Sequence, residues 1–214
     1  MRKLILMNAE ILYRSLKIIE NVYDDSMYDE DDFYRIKDII HSLDKNHWDS
    51  KQWLVDILGA LYMHSGGSIY IGGGWYGLLA HLLRKEFPQS EMNITSADID
   101  GYCEKVAWRL FPESNIQFKT EDMMNVDLSA YSIVVSTSCE HVERDDLEKF
   151  IRSKPSNTWV VLQSNNFFDL TSHINCHNSL EEFTEWVDES LSECVAYSGM
   201  LELDGFERYM VIGR

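Results

Sequence analysis

Residues 69–77 read Ile-Tyr-Ile-Gly-Gly-Gly-Trp-Tyr-Gly and run into a helical segment; 21 residues beyond Gly77 stands Asp98, closing a second strand-like stretch. Strand, glycine turn and helix in that order make a βαβ unit of nucleotide-binding type. Glycines lack the Cβ atoms that would keep a ligand from backbone N–H groups at the start of the helix. An acid closing the next strand is placed to accept hydrogen bonds from a ribose diol.

The rest of the chain arranges itself around that unit. Before residue 66 the apolar spacing is helical, over 4–23, 31–43 and 50–64, with Asp49 or Ser50 as the cap of the third helix. After Ser65-Gly66-Gly67, short β-branched runs alternate with helices, the pattern of a parallel sheet with crossovers. Strands are expected at 68–72, 93–98, 115–119, 131–136 and 158–163, and helices at 76–86, 101–111, 144–152 and 179–190. Two further strand-like runs, 193–201 and 206–212, meet at Leu203-Asp204-Gly205, a hairpin signal that makes the last strand antiparallel to its neighbour. The organisation expected is a helical extension or lid over 1–66 and a Rossmann-like binding domain over 67–214.

Composition narrows the partners. A net charge of −17, from 19 basic and 36 acidic residues, does not supply the Lys/Arg field that nonspecific nucleic-acid binding requires. The acids Glu20, Asp24, Asp25, Asp29, Glu30, Asp31 and Asp32 read as a solvated link between helices. Cys103, Cys139, Cys176 and Cys194 are widely spaced, without a CxxC pair, which suits free thiols in a reducing compartment. The opening MRKLILMNAEILYRSLKIIE is broken by Asn8, Glu10 and Arg14 and continues at helical spacing, so it reads as an amphipathic helix rather than a leader. No segment has the length of a membrane span, and the expectation is a cytoplasmic protein. Oligomeric state is not legible.

Gly72-x-Gly74-x-x-Gly77 satisfies the dinucleotide fingerprint, so an NAD-dependent oxidoreductase is one reading. The terminal hairpin and the ~140 residues left after the turn argue for a different arrangement. The order of segments over about 67–214 resembles the class I S-adenosylmethionine-dependent methyltransferases. That resemblance implies an α/β three-layer sandwich with a seven-stranded, mostly parallel sheet closed by an antiparallel strand. It implies S-adenosylmethionine as cofactor, the glycine loop at its amino-acid end, Asp98 on the ribose and Asp122 at the adenine. The implied cofactor contacts are Gly72, Gly73, Gly74, Trp75, Tyr76, Gly77, Asp98, Ile99, Asp122, Met123 and Ser138. Glu140-His141-Val142 is similar to the end of the corresponding segment in many small-molecule methyltransferases. Two positions depart from the family: Tyr70 stands where an acid is usual, and Tyr76 where the third glycine commonly falls. Trp75 and Tyr76 either cover the cofactor, an aromatic face attracting a sulfonium, or pack on the N-terminal helices.

Methyl transfer asks for alignment, exclusion of water and, for a protonated acceptor, a base. Glu140 and His141, leaving the fourth strand, are candidates for that base, and Asn165, with Phe167 and Phe168, for contact with the acceptor. Glu140, His141, His173 and His177 also form a donor set able to ligate a divalent metal, although no metal is assigned. The reading is a methyltransferase acting on a small polar molecule or a protein side chain. The alternatives are aminocarboxypropyl transfer on the same fold, an NAD-dependent oxidoreductase, and a noncatalytic cofactor-binding module.

Overall fold

The glycine turn closes the central strand of a seven-stranded sheet. A computed structural model describes residues 11–19, 30–61, 67–87, 92–112, 115–191 and 194–214. The strands are β1 (Gly67–Gly72), β2 (Met92–Asp98), β3 (Gln117–Thr120), β4 (Ile133–Ser136), β5 (Trp159–Asn165), β6 (Val195–Leu203) and β7 (Phe206–Gly213). They lie in the order β3-β2-β1-β4-β5-β7-β6. β1 to β5 pair in parallel, while β7 runs antiparallel to both β5 and β6. The expected hairpin forms at Asp204-Gly205, where Gly205 takes φ +91°.

Residues 11–19 (α1) are helical. The later helices are α2 (Glu30–His41), α3 (Lys45–Ala60), α4 (Leu78–Glu86), α5 (Gly101–Leu110), α6 (Arg144–Ser153) and α7 (Leu180–Ser190). Alternation along β1 divides the core. Ile69 and Ile71 point into a layer with Leu54, Leu58, Leu79, Leu83 and Val106, which belong to α3, α4 and α5. Tyr70 points the other way, into a layer with Leu147, Phe150, Phe183 and Val187 from α6 and α7. Both faces of β1 and β4 are buried, which is why these strands read as unbroken apolar runs.

Several boundaries differ from those read in the sequence. α3 starts at Lys45, capped by Asp44, whose side chain accepts from the His47 amide. Asp49 and Ser50 therefore lie inside the helix, and Ser50 is buried against Gln163 of β5. α4 starts two residues later than expected because Trp75-Tyr76-Gly77 belongs to the turn. The remainder of the predicted first helix, and the acid-rich stretch as far as residue 29, lie outside the described residues. Among the described residues, no helix is long and apolar enough to cross a membrane.

β1 is hydrogen-bonded to β2 on one side and β4 on the other, so the crossovers diverge there and leave a crevice at their carboxyl ends. An all-parallel doubly wound dinucleotide sheet has the same crevice but not the antiparallel β7 between β5 and β6. The sheet thus counts against the dinucleotide reading of the glycine motif.

Candidate functional site

A cavity of about 680 Å³ opens over the carboxyl ends of β1, β2, β4 and β5. At its floor the glycine loop follows an unusual path. Gly73, Trp75 and Gly77 have φ of +63°, +47° and +83°. The first and last suit residues without a Cβ, but a tryptophan in this region is held by its surroundings. The Trp75 amide donates to Asp98 Oδ2 at 2.9 Å, and the Gly74 amide donates to the Ala97 carbonyl at 2.8 Å. Asp98 Oδ1 accepts from the Asp100 amide at 3.0 Å, so a single carboxylate ties the loop to the end of β2. α4 starts at Gly77 without a side-chain cap, leaving its first-turn amides and the positive end of its dipole at the crevice.

The loop glycines do different work. A Cβ on Gly74 would lie 2.1 Å from Ser96 Oγ, and one on Gly72 would lie 2.8 Å from Met123 Sδ. Both are needed for packing against β2 and the turn after β3, and Gly74 also lines the cavity. At Gly73 the nearest atom to an added Cβ is 3.8 Å away, on Ser138, which faces it across the cavity. A Cβ on Gly77 would lie 2.6 Å from the Phe118 ring, so its absence lets α4 start close against the sheet.

Ile99 is 74% exposed and lines the cavity next to Asp98. Asp122 and Met123 also line it, but Asp122 caps a turn of 3₁₀ helix. Its two oxygens accept from the Met124 amide and the Asn125 side chain, each at 2.9 Å. Glu121 lines the same wall, and its buried Oε2 has no hydrogen-bond partner among the described residues. Asp100 is the N-cap of α5 and pairs with Arg35 of α2.

Trp75 and Tyr76 separate in role. Trp75 lines the cavity and meets the edges of His41 and His47 at 6.2 and 5.3 Å between ring centroids. Tyr76 is 1% exposed and stacks under Trp75 as part of the core. It is thus a packing residue more than a cover.

The chain leaving β4 forms a 3₁₀ turn, Cys139–His141, stitched to the loop after β5. The Ile174 and Asn175 amides donate to the Glu140 carbonyl at 2.8 and 3.1 Å. Glu140 itself is buried in an ion pair with Arg208 of β7, Oε1 to Nη1 at 2.6 Å, and Arg208 also donates to the Thr137 carbonyl. Burial pushes the Glu140 carboxyl up, but the Arg208 guanidinium outweighs it and holds the group below the ordinary value. An ionised carboxylate committed to a buried guanidinium is a poor proton acceptor, so the expectation of Glu140 as a base is not met by its geometry.

His141 is exposed on the cavity wall, with Nδ1 3.0 Å from the Ser172 carbonyl. His173 Nδ1 lies 2.6 Å from the Phe167 carbonyl. A carbonyl can only accept, so both rings carry their proton on Nδ1 and turn Nε2 elsewhere. Donor atoms of Glu140, His141 and His173 lie within 4.8 Å of one another. Three of the four residues singled out as a donor set therefore converge. His177 does not: it is buried below the loop, beside Ser164, Phe183 and Trp186, with burial pushing its imidazole down to about 4. Asn165 lines the cavity at the end of β5, but its Oδ1 accepts from the Phe167 amide and the Cys176 thiol. It shapes the loop after β5.

The remaining wall comes from α2 and α3: Asp38, His41, Ser42, Asn46, His47 and Lys51. Lys51 and Arg208 were not singled out in the sequence. A lysine at helical spacing looks like surface, and an arginine in a C-terminal strand carries no motif.

No protein-family model matches the chain, and no curated protein matches it in sequence. Solved structures do share its fold. Magnesium protoporphyrin IX methyltransferase from Synechocystis PCC 6803, with S-adenosylmethionine bound, superposes with a TM-score of 0.63 at 16% identity, covering 89% of this chain and 86% of that one. The mitomycin 7-O-methyltransferase gives 0.63 at 13%, over 94% of this chain and 68% of that one. The Burkholderia thailandensis 1,6-didemethyltoxoflavin-N1-methyltransferase, with its acceptor and S-adenosylhomocysteine bound, gives 0.58 at 10%, over 76% of each. The fold is that of the class I S-adenosylmethionine-dependent methyltransferases.

Proposed function

We propose that this protein is an S-adenosylmethionine-dependent methyltransferase acting on a small polar molecule. The observation that carries the reading is the Asp98 carboxylate, fixed by two backbone amides at the carboxyl end of β2, beside an uncapped helix start and an open glycine turn. The cofactor's carboxylate is suited to the amides at the start of α4, its ribose hydroxyls to Asp98, and its adenine to the strip of Ile99, Met123 and Met124. Glu121, whose buried Oε2 has no partner among the described residues, is a second candidate acceptor for the adenine amine beside Asp122.

Ser138, His141, Phe167 and Lys51 line the same cavity and would face the acceptor. The N-terminal helices α2 and α3 serve as the acceptor wall of the domain that begins at residue 67. A cavity of about 680 Å³ lined by aromatic and apolar side chains suits a small acceptor. Acceptors of that kind are named for neighbours of the same fold. Titration of S-adenosylhomocysteine onto the wild-type protein and Asp98→Ala tests the assignment. Saturable binding that the substitution weakens is expected, and equal affinity would move the ribose site elsewhere.

A further inference from the structure

Lys51 sits on the cavity side of α3 between His47, one turn earlier, and the buried pair Glu140–Arg208. Among the described residues its ammonium has no hydrogen-bond or ion-pair partner, although Glu140 is within electrostatic reach. Glu140 Oε1 and the two terminal nitrogens of Arg208 are engaged, with each other and with the Thr137 carbonyl, while Glu140 Oε2 and Arg208 Nε are buried without a hydrogen-bond partner among the described residues. A half-buried amine with no protein partner, opening into a cavity, has its interaction reserved for what the cavity holds.

The walls around it are aromatic. Trp75, Phe167, Leu170 and Phe206 line the same cavity, with Phe167 and Phe206 at 5.5 Å between centroids. Aromatic and apolar lining of this kind suits a planar ring, with Lys51 a cationic or basic group in the same cavity.

We propose that Lys51 is the base that accepts the acceptor's proton, and that the acceptor is a small aromatic molecule bearing a weakly acidic hydroxyl. The inference rests on the methyltransferase reading. The hydroxyl proton passes to Nζ of the neutral amine, and the oxygen's electron pair forms a bond to the methyl carbon. The carbon–sulfur bond breaks with its pair returning to sulfur. The products are a methyl ether, S-adenosylhomocysteine and the Lys51 ammonium, which returns its proton to water.

Electrostatics support the assignment. Burial and the Arg208 guanidinium push the Lys51 ammonium down to about 7, against the opposing pull of Glu140 and Cys139. A base titrating near neutrality is available to act, whereas an ordinary lysine is not. The sulfonium of a bound cofactor adds a further positive charge, which favours the neutral amine. A merely anchoring cation would gain nothing from that shift.

The test uses the full protein saturated with S-adenosylhomocysteine, with 4-nitrophenol as a probe whose phenolate is coloured and benzoate as a ligand that is always ionised. Wild-type protein is expected to bind nitrophenol as phenolate, with the ionisation of the bound probe shifted about tenfold or more toward the anion. Lys51→Met should return it to the behaviour of the free probe while binding S-adenosylhomocysteine as before, a split that a purely structural role would not give. An unshifted probe in the wild type, or the same shift in Lys51→Met, overturns the inference and leaves the cofactor assignment standing. So does uptake of benzoate with refusal of nitrophenol. Failure to bind S-adenosylhomocysteine overturns both.

Discussion

At the scale of single residues, the site depends on carboxylates whose neighbours decide what they can do. Asp98, Asp100, Glu121 and Asp122 look alike in sequence, yet each meets different partners. Asp100 and Asp122 cap helical turns, Asp98 braces the glycine loop, and Glu121 buries an oxygen that nothing among the described residues satisfies. Asp98→Ala removes a charged acceptor and frees two backbone amides. The expected cost to S-adenosylhomocysteine binding is about 1–3 kcal/mol, roughly 5- to 150-fold in affinity by calorimetry. The spacing of Asp98 from the glycine turn made it legible, since a strand end fixes position. Glu121 was not legible: adjacent acids after a strand give no sign of which one turns inward. Nor was the Glu140–Arg208 pair, whose partners are separated by 68 positions.

At the scale of elements, the turn between β1 and α4 is held by packing against β2 as much as by its own hydrogen bonds. Gly74 is the sharpest case, because its missing Cβ leaves space for Ser96 Oγ. Gly74→Ala should destabilise the protein by about 1–3 kcal/mol in urea unfolding, as overpacked sites do. Ser96→Ala removes the clashing oxygen and leaves Ser96's own Cβ position 3.4 Å away, so the double variant should recover much of that loss. Additive losses would mean that the loop, and not the contact, is at fault. Alternation of apolar runs and helices made every strand and most helices readable, with edges misplaced where a turn residue carried helical spacing. Trp75 and Tyr76 show the limit. Both continue the apolar pattern into α4, and only the positive φ at Trp75 and Gly77 places them in the turn.

For the whole molecule, burial holds several imidazoles neutral. His47, His81 and His177 are each pushed down from 6.5 to about 4, mainly by desolvation. Their folded values lie below the unfolded value, so the unfolded chain binds more protons. Their contribution to stability is complete above about pH 6.5 and drains away as the pH falls toward 4. His81 stacks on Phe111 at 4.3 Å. In His81→Phe, urea unfolding measured across this range should show a decline shallower by roughly 1–3 kcal/mol at the acid end. A decline of wild-type steepness would contradict the assignment. The central claim, that this sheet and its crevice hold S-adenosylmethionine, is tested most directly by calorimetric titration of the wild-type protein with S-adenosylmethionine, S-adenosylhomocysteine and NAD in parallel. The account predicts saturable one-site binding of the first two and none of NAD; binding of NAD alone would contradict it.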